Sequence, residues 1–371
     1  MVAVLASLVA AGTLAGPAPQ PRLLVAGPAL AGDRVVWGEQ RDGLNVLRSW
    51  PSASPLWQSA SSWFSGPLAG SQTLVAFSRS YEGCPGQPGV VCPVETQAIA
   101  GPPYGSLRPL APAERCSAGG ANRRVSVSGS LVAFLALDCS SPGGTVSVRE
   151  GARTVFRRAG AVCCDVAIAG SSLAWKSGGS VDVFDLRTHR IVYRTNAPLL
   201  EPIAAFDVQA DGKLALVLGQ APDGRASLAW RAPGAGGLQR LRLRIVLPAR
   251  GPAVRLVGDR IVTVAAGPGT TSELVVAGLH GQVRTLARFS APGTQAPGKQ
   301  ASVEQAGAID ASASRVTWAS RRITSRREDC PPPGQGRPCR LLETGTETIW
   351  AAGLTSGAPR PVARWAFTDS P

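Results

Sequence analysis

The residue types that most often carry out catalysis are scarce in this sequence. Only two histidines occur, His189 and His280, which leaves little material for a histidine-rich metal centre or a histidine-based triad. The HExxH, P-loop and G-x-S-x-G patterns do not occur. Gly353–Gly357 has threonine where the last pattern needs serine, and we interpret it as a hairpin turn. The sequence therefore predicts no cofactor and favours a protein that is not an enzyme.

Eight cysteines are the second group of reactive side chains. Cys84 and Cys92 enclose a segment rich in proline and glycine, and Cys330 and Cys339 enclose another. Zinc sites usually use closer C-x₂₋₄-C pairs, so we predict two disulfides of an oxidising compartment, with metal binding as the alternative. We expect disulfides at the other four as well, although three pairings are possible and Cys163-Cys164 could be a redox pair. These four are Cys116, Cys139, Cys163 and Cys164.

Residues 321–345 are the longest segment that could bind a ligand, and we predict them to be a loop. The segment carries Arg321, Arg322, Arg326, Arg327, Arg337 and Arg340. Guanidinium groups bind carboxylates and phosphates through paired hydrogen bonds, so the segment predicts an anionic ligand or an acidic partner. The alternative is a solvated basic loop whose arginines pair with Glu328, Asp329 and Glu343.

The net charge is +14, and 35 of the 38 cationic residues are arginine. Together with 43 glycines and 31 prolines, this excess of arginine indicates a bias in codon composition. Nucleic-acid binding is therefore disfavoured, and it would also need aromatic stacking platforms that residues 321–345 lack. The high glycine and proline content favours many short strands and turns over long helices.

Residues 1–18 are uncharged and apolar, and they are shorter than a comfortable membrane span. We expect this segment to be a signal peptide, or else an apolar N-terminal segment, and residues 19–371 to form one domain. The predicted location is exported: periplasmic, extracellular or on the cell surface. No other stretch predicts a transmembrane helix.

Short motifs repeat along the chain, each a small or polar turn followed by an apolar strand that often ends in an aromatic residue. Clear copies are Gly32-Asp33-RVVW, Gly70-Ser71-QTLVAF, Gly129-Ser130-LVAF and Gly170-Ser171-SLAW. A further strand, turn and arginine-bearing strand follow each copy, as in residues 180–194. Each unit therefore predicts four antiparallel strands. Units begin near residues 24, 63, 123, 163, 203, 252 and 305.

The repeats resemble bacterial β-propellers with WD40-like or TolB-like repeats, whose blades often read D-L-x-T-G between strands. Phe184-Asp185-Leu186-Arg187-Thr188-His189 is the nearest copy. The resemblance implies an all-β fold, a β-propeller of seven four-stranded blades, in which neighbouring blades cover each other and closure removes long edges. The Gly-His and Trp-Asp signatures of eukaryotic WD40 blades are missing, so the resemblance implies no partner-binding rule.

Propeller topology sorts the loops onto two faces. With strands A to D in each blade, the A–B and C–D turns share one face, the turn face, and the B–C and D–A connections share the other, the loop face. All long insertions and all cysteines fall on the loop face, which makes it the predicted binding surface. Tyr81 is a predicted surface contact there, and Tyr104 is placed in a C–D turn. The recurring aromatics at the ends of B strands are predicted to be core: Trp37, Phe77, Phe134, Trp175 and Trp318.

Three aspartates recur near the innermost strands, which line the channel of a propeller: Asp165, Asp207 and Asp310. A ring of them could bind a cation or serve a hydrolase or lyase. Our main interpretation is a non-catalytic, exported binding or scaffold protein, monomeric, with a protein or cell-envelope ligand on the loop face; an anionic ligand is one option. The alternative enzyme should have a deep central pocket with converging carboxylates, whereas a binding module should show no perturbed carboxylates.

Overall fold

The protein is all-β in the residues described by a computed structural model. These are residues 22–52, 54–82, 94–111, 114–116, 125–137, 144–161, 165–198, 201–219, 225–247, 254–268, 271–290, 303–330 and 339–369. Within them, no helix has the length and apolar character needed to span a membrane. The predicted signal segment and the Cys84–Cys92 pair lie outside the described residues, as do Cys139, Cys163, Cys164 and Arg337.

Strands follow one another as antiparallel meanders, which we name blades 1 to 7 in chain order. Blade 1 contains β1 Leu23–Ala31, β2 Arg34–Arg41, β3 Leu44–Trp50 and β4 Trp57–Ser59. Blade 2 contains β5 Ser62–Phe64, β6 Ala69–Gly70, β7 Val75–Glu82, β8 Val94–Gly101, β9 Arg108–Pro109 and β10 Glu114–Cys116. Blade 3 contains β11 Val125–Ser128, β12 Leu131–Leu137, β13 Gly144–Glu150 and β14 Arg153–Ala161.

The later blades are more regular. Blade 4 contains β15 Val166–Ala169, β16 Ser172–Ser177, β17 Ser180–Asp185 and β18 Arg190–Asn196. Blade 5 contains β19 Ile203–Val208, β20 Leu214–Leu218, β21 Arg225–Arg231 and β22 Gln239–Val246. Blade 6 contains β23 Val254–Val257, β24 Arg260–Ala266, β25 Ser272–Gly278 and β26 Val283–Phe289. Blade 7 contains β27 Val303–Ala311, β28 Arg315–Asp329, β29 Arg340–Gly353 and β30 Arg360–Asp369.

The blades form a closed ring. A hydrophobic cluster fills the space between each pair of neighbours, from blades 1 and 2 through to blades 6 and 7. A further cluster joins the last blade to the first, with Leu30 and Trp37 packed against Ile349 and Trp365. Each blade is a small sheet with two apolar faces, so it is stable only when neighbours cover both. The predicted β-propeller is thereby confirmed.

Blades 5 and 6 form one eight-stranded sheet, because β22 meets β24 at a single pair, Ile245 and Ala265. The count of seven depends on dividing this sheet in two, and it stays a prediction. The predicted core aromatics are confirmed: all are at most 6 % exposed, and Phe77 and Trp318 are at 0 and 1 %. Blade 2 is the irregular one, since its inner strand is interrupted between β5 and β6.

Candidate functional site

An arginine at the centre of the ring holds the inner strands of blades 5, 6 and 7 together. Arg255 of β23 lies between Asp207 of β19 and Asp310 of β27, and each of the three is one or two residues before the end of its A strand. Its Nε donates to Asp310 Oδ1 at 2.8 Å, and its Nη1 lies 3.9 Å from Asp207 Oδ1. Asp165 of blade 4 also contributes to the electrostatic field at Arg255. The cation that the three aspartates surround is therefore a side chain of the protein.

The same aspartates also bind backbone groups of the following blade. Asp207 Oδ2 accepts a hydrogen bond from Leu256 N, and Asp310 Oδ2 accepts one from Leu30 N, both at 2.8 Å. Ser126 repeats this contact by accepting from Ile168 N at 3.0 Å. In each case a short polar side chain on one inner strand satisfies an N–H of the next inner strand, which fixes the register between blades.

Burial dominates the titration of the two central carboxyl groups. It raises the pKa of Asp207 to about 6, with Arg255 opposing the shift. Burial also raises the pKa of Asp310, again against Arg255. Perturbed carboxylates, the feature expected of the enzyme alternative, are therefore present, but ion-pair networks of a folded core shift pKa values as active sites do, so the shifts alone do not distinguish the two interpretations.

A small cavity lies among the inner strands of the described residues. Lined by Ser126, Asp165 and Arg255 among others, it has a volume of about 20 Å³, which suits water rather than a sugar or peptide. The hypothesis of an acidic ring that binds a cation is corrected: the carboxylates at Asp207 and Asp310 are already engaged with Arg255 and backbone N–H groups. The chemistry of this cluster is that of a structural clamp.

The predicted loop 321–345 is instead a long two-stranded hairpin. β28 and β29 stay paired as far as Asp329 and Arg340. The inner neighbour β27 ends at the pair Val303–Ile323, and the outer neighbour β30 ends at the pair Asp369–Glu343. Among the described residues, 324–330 and 339–342 therefore extend beyond the four-stranded part of the blade, and we call them the arm. The sequence-based expectation of a loop failed because strand formation depends on context, and this charged ribbon continues two strands that are already paired inside the blade.

A disulfide closes the tip of the arm. Cys330 and Cys339 are bonded to each other, which confirms this predicted pair, and both are exposed. Glu328 lies close enough to share a metal ion with these sulfur atoms, but the disulfide occupies both of them. The chain-entropy gain from such a bond compensates for a two-stranded ribbon that is marginal by itself.

The arginines of this hairpin divide between its two faces. Arg321 and Arg326 lie opposite Glu347 and Glu343. Arg326 Nε donates to Glu343 Oε1 at 2.9 Å, and Arg321 Nη2 donates to Glu343 Oε2 at 3.3 Å. The Arg321 guanidinium also lies 4.1 Å from the centre of the Phe367 ring. Ion pairs with Glu343 and the contact with Phe367 therefore hold this face of the hairpin against the blade.

The opposite face carries Arg322, which lies between Thr346 of β29 and Glu304 of β27, and Arg327, which lies opposite Leu342. Both arginines are exposed. Arg340 is the first residue of β29, paired with Asp329. The binding roles predicted for these arginines stay predictions.

Tyr81 lies in a strand and not in the predicted loop, whereas Tyr104 lies in the predicted C–D turn. Tyr81 is half-buried in β7 beneath the Arg79 guanidinium, 5.3 Å from the ring centre. Tyr104 is 72 % exposed in the turn between β8 and β9, so it is the more accessible of the pair. His189 and His280 lie in turns between C and D strands, as predicted. Cys116 is the last residue of β10.

Sequence reasoning missed Arg255 and Ser126. A signal was present: each is a polar residue inside an otherwise apolar A strand, VRLV and VSVS. Residue type alone groups the aspartates, whereas the distance from the following turn also selects Ser126 and Arg255, each three residues before a turn glycine.

Comparisons with known proteins concern only the architecture. No protein-family model and no curated protein matches this chain. Among solved structures, BamB from Moraxella catarrhalis is 12 % identical with a TM-score of 0.43, covering 94 % of this chain and 96 % of that one. A prolyl endopeptidase is 12 % identical with a TM-score of 0.46, covering 91 % of this chain and 54 % of that one. The present chain thus spans about half the length of that enzyme, and the likeness gives no activity.

Proposed function

We propose that the protein is an exported, non-catalytic β-propeller that binds a protein or cell-envelope ligand on its loop face. The observation that carries the proposal is the arm, which extends past both neighbouring strands of blade 7. A propeller needs no such extension for its own packing, since the ring closes through the cluster between blades 7 and 1. Loops and ribbons that project from a rigid scaffold are common binding elements.

The arm is held in one orientation, as a binding element requires. The tip disulfide limits the freedom of the two strands, and Glu343 ties Arg321 and Arg326 to the blade. Ser325 and Thr344 share a hydroxyl–hydroxyl hydrogen bond across the strands. A rigid element loses less conformational entropy on binding, which improves affinity.

The exposed face of the arm determines the chemistry of the ligand. Arg327 of the arm and Arg322, which precedes the arm and lies opposite Glu304 of β27, are exposed on the same side of the ribbon. Guanidinium groups bind carboxylates or phosphates with paired, directional hydrogen bonds. The favoured ligand is therefore anionic, such as an acidic protein surface or a phosphate-bearing envelope polymer. A role as an assembly partner, by analogy with TolB-like propellers, is the same proposal with a protein as ligand.

A hydrolase or lyase is the competing proposal, and the raised pKa of Asp207 is the observation in its favour. The carboxylates at Asp207 and Asp310 nevertheless bind Arg255 and backbone N–H groups beside a cavity of about 20 Å³. A substrate would have to displace these contacts. We therefore prefer the binding function.

A charge reversal tests the proposal. We would replace Arg322→Glu together with Arg327→Glu and measure cosedimentation with isolated envelopes of the native host. The matched control is Arg190→Glu with Arg260→Glu, two exposed arginines of the turn face. We expect the arm variant to bind about tenfold more weakly and the control to change less than about twofold. Equal losses in the two variants would contradict the proposal.

Export is tested by non-reducing mass spectrometry of protein from the native host. We expect a mature chain that begins after Ala15 or Ala18, with Cys84 linked to Cys92 and Cys330 to Cys339. An intact Met1 with free thiols would contradict export.

A further inference from the structure

The outer strand of blade 5 has one apolar face and one arginine face. In β22, Leu241, Leu243 and Ile245 pack into the cluster between blades 5 and 6. The alternate residues Arg240, Arg242 and Arg244 are all exposed. Because Arg240 lies opposite Ala229, which belongs to the cluster shared with blade 4, the arginine stripe faces the gap between blades 4 and 5.

The chain already places one carboxylate on this stripe. Arg240 donates through Nη2 to Glu201 Oε2 at 2.5 Å and through Nη1 to Glu201 Oε1 at 3.2 Å. Such paired hydrogen bonds are the strong form of arginine–carboxylate recognition. Arg242 and Arg244 have no hydrogen bond or ion pair with any described residue. Two further carboxylate-binding positions therefore follow the occupied one along the same strand.

A fourth arginine, Arg231, lies in the gap between blades 4 and 5. The Arg231 guanidinium lies over the Tyr193 ring, 4.7 Å from its centre, and donates to Arg194 O at 2.9 Å. Tyr193 thus supports the guanidinium from blade 4, while Arg231 itself belongs to β21 of blade 5. The gap is positive on its blade 5 side, with Glu201 as the paired acid.

The open edge of β22 lies beside this stripe. One edge of β22 pairs with β21, and the other meets β24 only at Ile245. Among the described residues, the backbone from Gln239 to Arg244 has no strand on that side. An extended peptide can add to such an edge through main-chain hydrogen bonds, with alternate side chains giving specificity.

We propose that the outer edge of β22 binds an extended acidic segment of a partner protein, whose alternate carboxylates pair with Arg242 and Arg244. Same-face residues of a strand repeat every ~6.6 Å, so an acidic residue at every second position approximates the arginine stripe, which a register shift bends at Arg242 and Leu243. Directly opposed side chains of paired strands lie about 5 Å apart at Cβ, within reach of a guanidinium–carboxylate pair. This surface belongs to blade 5 and is independent of the arm.

The test uses a short fluorescein-labelled peptide in which glutamate alternates with threonine, titrated at low salt and followed by fluorescence anisotropy. The variant is Arg242→Gln with Arg244→Gln. The control is Arg157→Gln with Arg364→Gln, exposed arginines on the outer strands of blades 3 and 7. Because the variant lacks two exposed ion pairs with the peptide, we expect its affinity for the peptide to fall about tenfold, and that of the control to fall by less than about twofold.

Two comparison peptides and one exchange measurement separate the alternatives. We expect a peptide of equal composition with consecutive glutamates, and one interrupted by prolines, to bind at least about fivefold more weakly, since neither can align along a strand edge. We also expect slower hydrogen exchange at residues 239–244 in the complex. Equal binding of all peptides, equal loss in the control, unchanged exchange, or tighter binding of heparin with the same arginine dependence would overturn the proposal.

Discussion

Arg255, Asp207 and Asp310 form an ion-pair cluster at the centre of the ring, which we call the channel cluster. This cluster and the arm both pair guanidinium with carboxylate groups, but the first is buried and the second is exposed. Arg255 is 18 % exposed at its side chain, and its partner Asp310 is 8 % exposed. Arg326 is 40 % exposed beside Glu343. In the channel, water cannot replace a lost partner, whereas on the arm it can.

The difference also separates the roles of the two regions. The channel aspartates each contact the next blade, so they link parts of the ring that are distant in sequence. The arm contacts are local, within one hairpin and its neighbour β30. A cluster that joins blades affects the stability of the whole ring, while a cluster within a projecting ribbon affects only its shape. Residue type alone does not distinguish these cases, but burial and connectivity do.

Loss of the central cation gives the largest expected effect. Arg255→Met leaves the Asp207 and Asp310 carboxylates buried without their counter-charge. We expect the free energy of unfolding in urea at pH 7 to fall by about 3–5 kcal/mol. The matched variant Arg326→Met serves as the control. A loss below about 1 kcal/mol for Arg255→Met would show that the channel is solvated and that the comparison is wrong.

The pH dependence of stability sharpens the same point. The pKa of Asp207 rises from 3.8 to about 6 on folding, so the folded protein binds this proton more tightly. The protonated Asp207 carboxyl group therefore stabilises the folded protein, fully below about pH 4, and this contribution is lost as the pH rises through 6. Between pH 4 and 7 the wild type should therefore lose roughly 2–3 kcal/mol relative to Asp207→Asn. A constant difference across this range, measured by urea unfolding, would contradict the burial of Asp207.

Removal of the tip disulfide should act locally. In the variant Cys330→Ser with Cys339→Ser, the arm opens more often because a constraint of roughly 2–3 kcal/mol is lost. Trypsin should then cleave after Arg326 or Arg327 about 30- to 150-fold faster, while the urea midpoint stays nearly unchanged, because local opening does not require the ring to unfold. A large fall in global stability would mean that the arm is part of the core.

The smallest effect is expected from the ion pair on the arm. Arg326→Met should lower the free energy of unfolding by about 0.2–1 kcal/mol, and salt near 0.5 M should erase most of this difference. A loss above about 2 kcal/mol in urea unfolding would remove the contrast between the arm and the channel.

Much of the fold could be predicted from the sequence, because it depends on local patterns. The turns at Gly32, Gly129 and Gly170 end A strands, and all three glycines adopt positive φ there. The aromatic residue that follows each turn packs between blades, as at Trp37 and Trp175. These features repeat, so each copy supports the others.

The sites were harder to predict because they depend on contacts between distant segments. Asp310 and Leu30 are 280 residues apart, and no local pattern reports that they meet. Arg255 was hidden as a single charge in an apolar strand. The arm was mistaken for a loop because its pairing lacks a hydrophobic face and depends on a cross-strand disulfide and on Glu343.

The most direct test of the central claim is photo-crosslinking in the native host from a photoreactive residue placed at Arg327 on the arm. A protein with the same residue at Arg190, on the turn face, is the control. The account predicts a discrete adduct with an envelope component from position 327 and none from position 190. Adducts from position 190 alone, or the same adducts from both, would contradict a binding surface on the loop face.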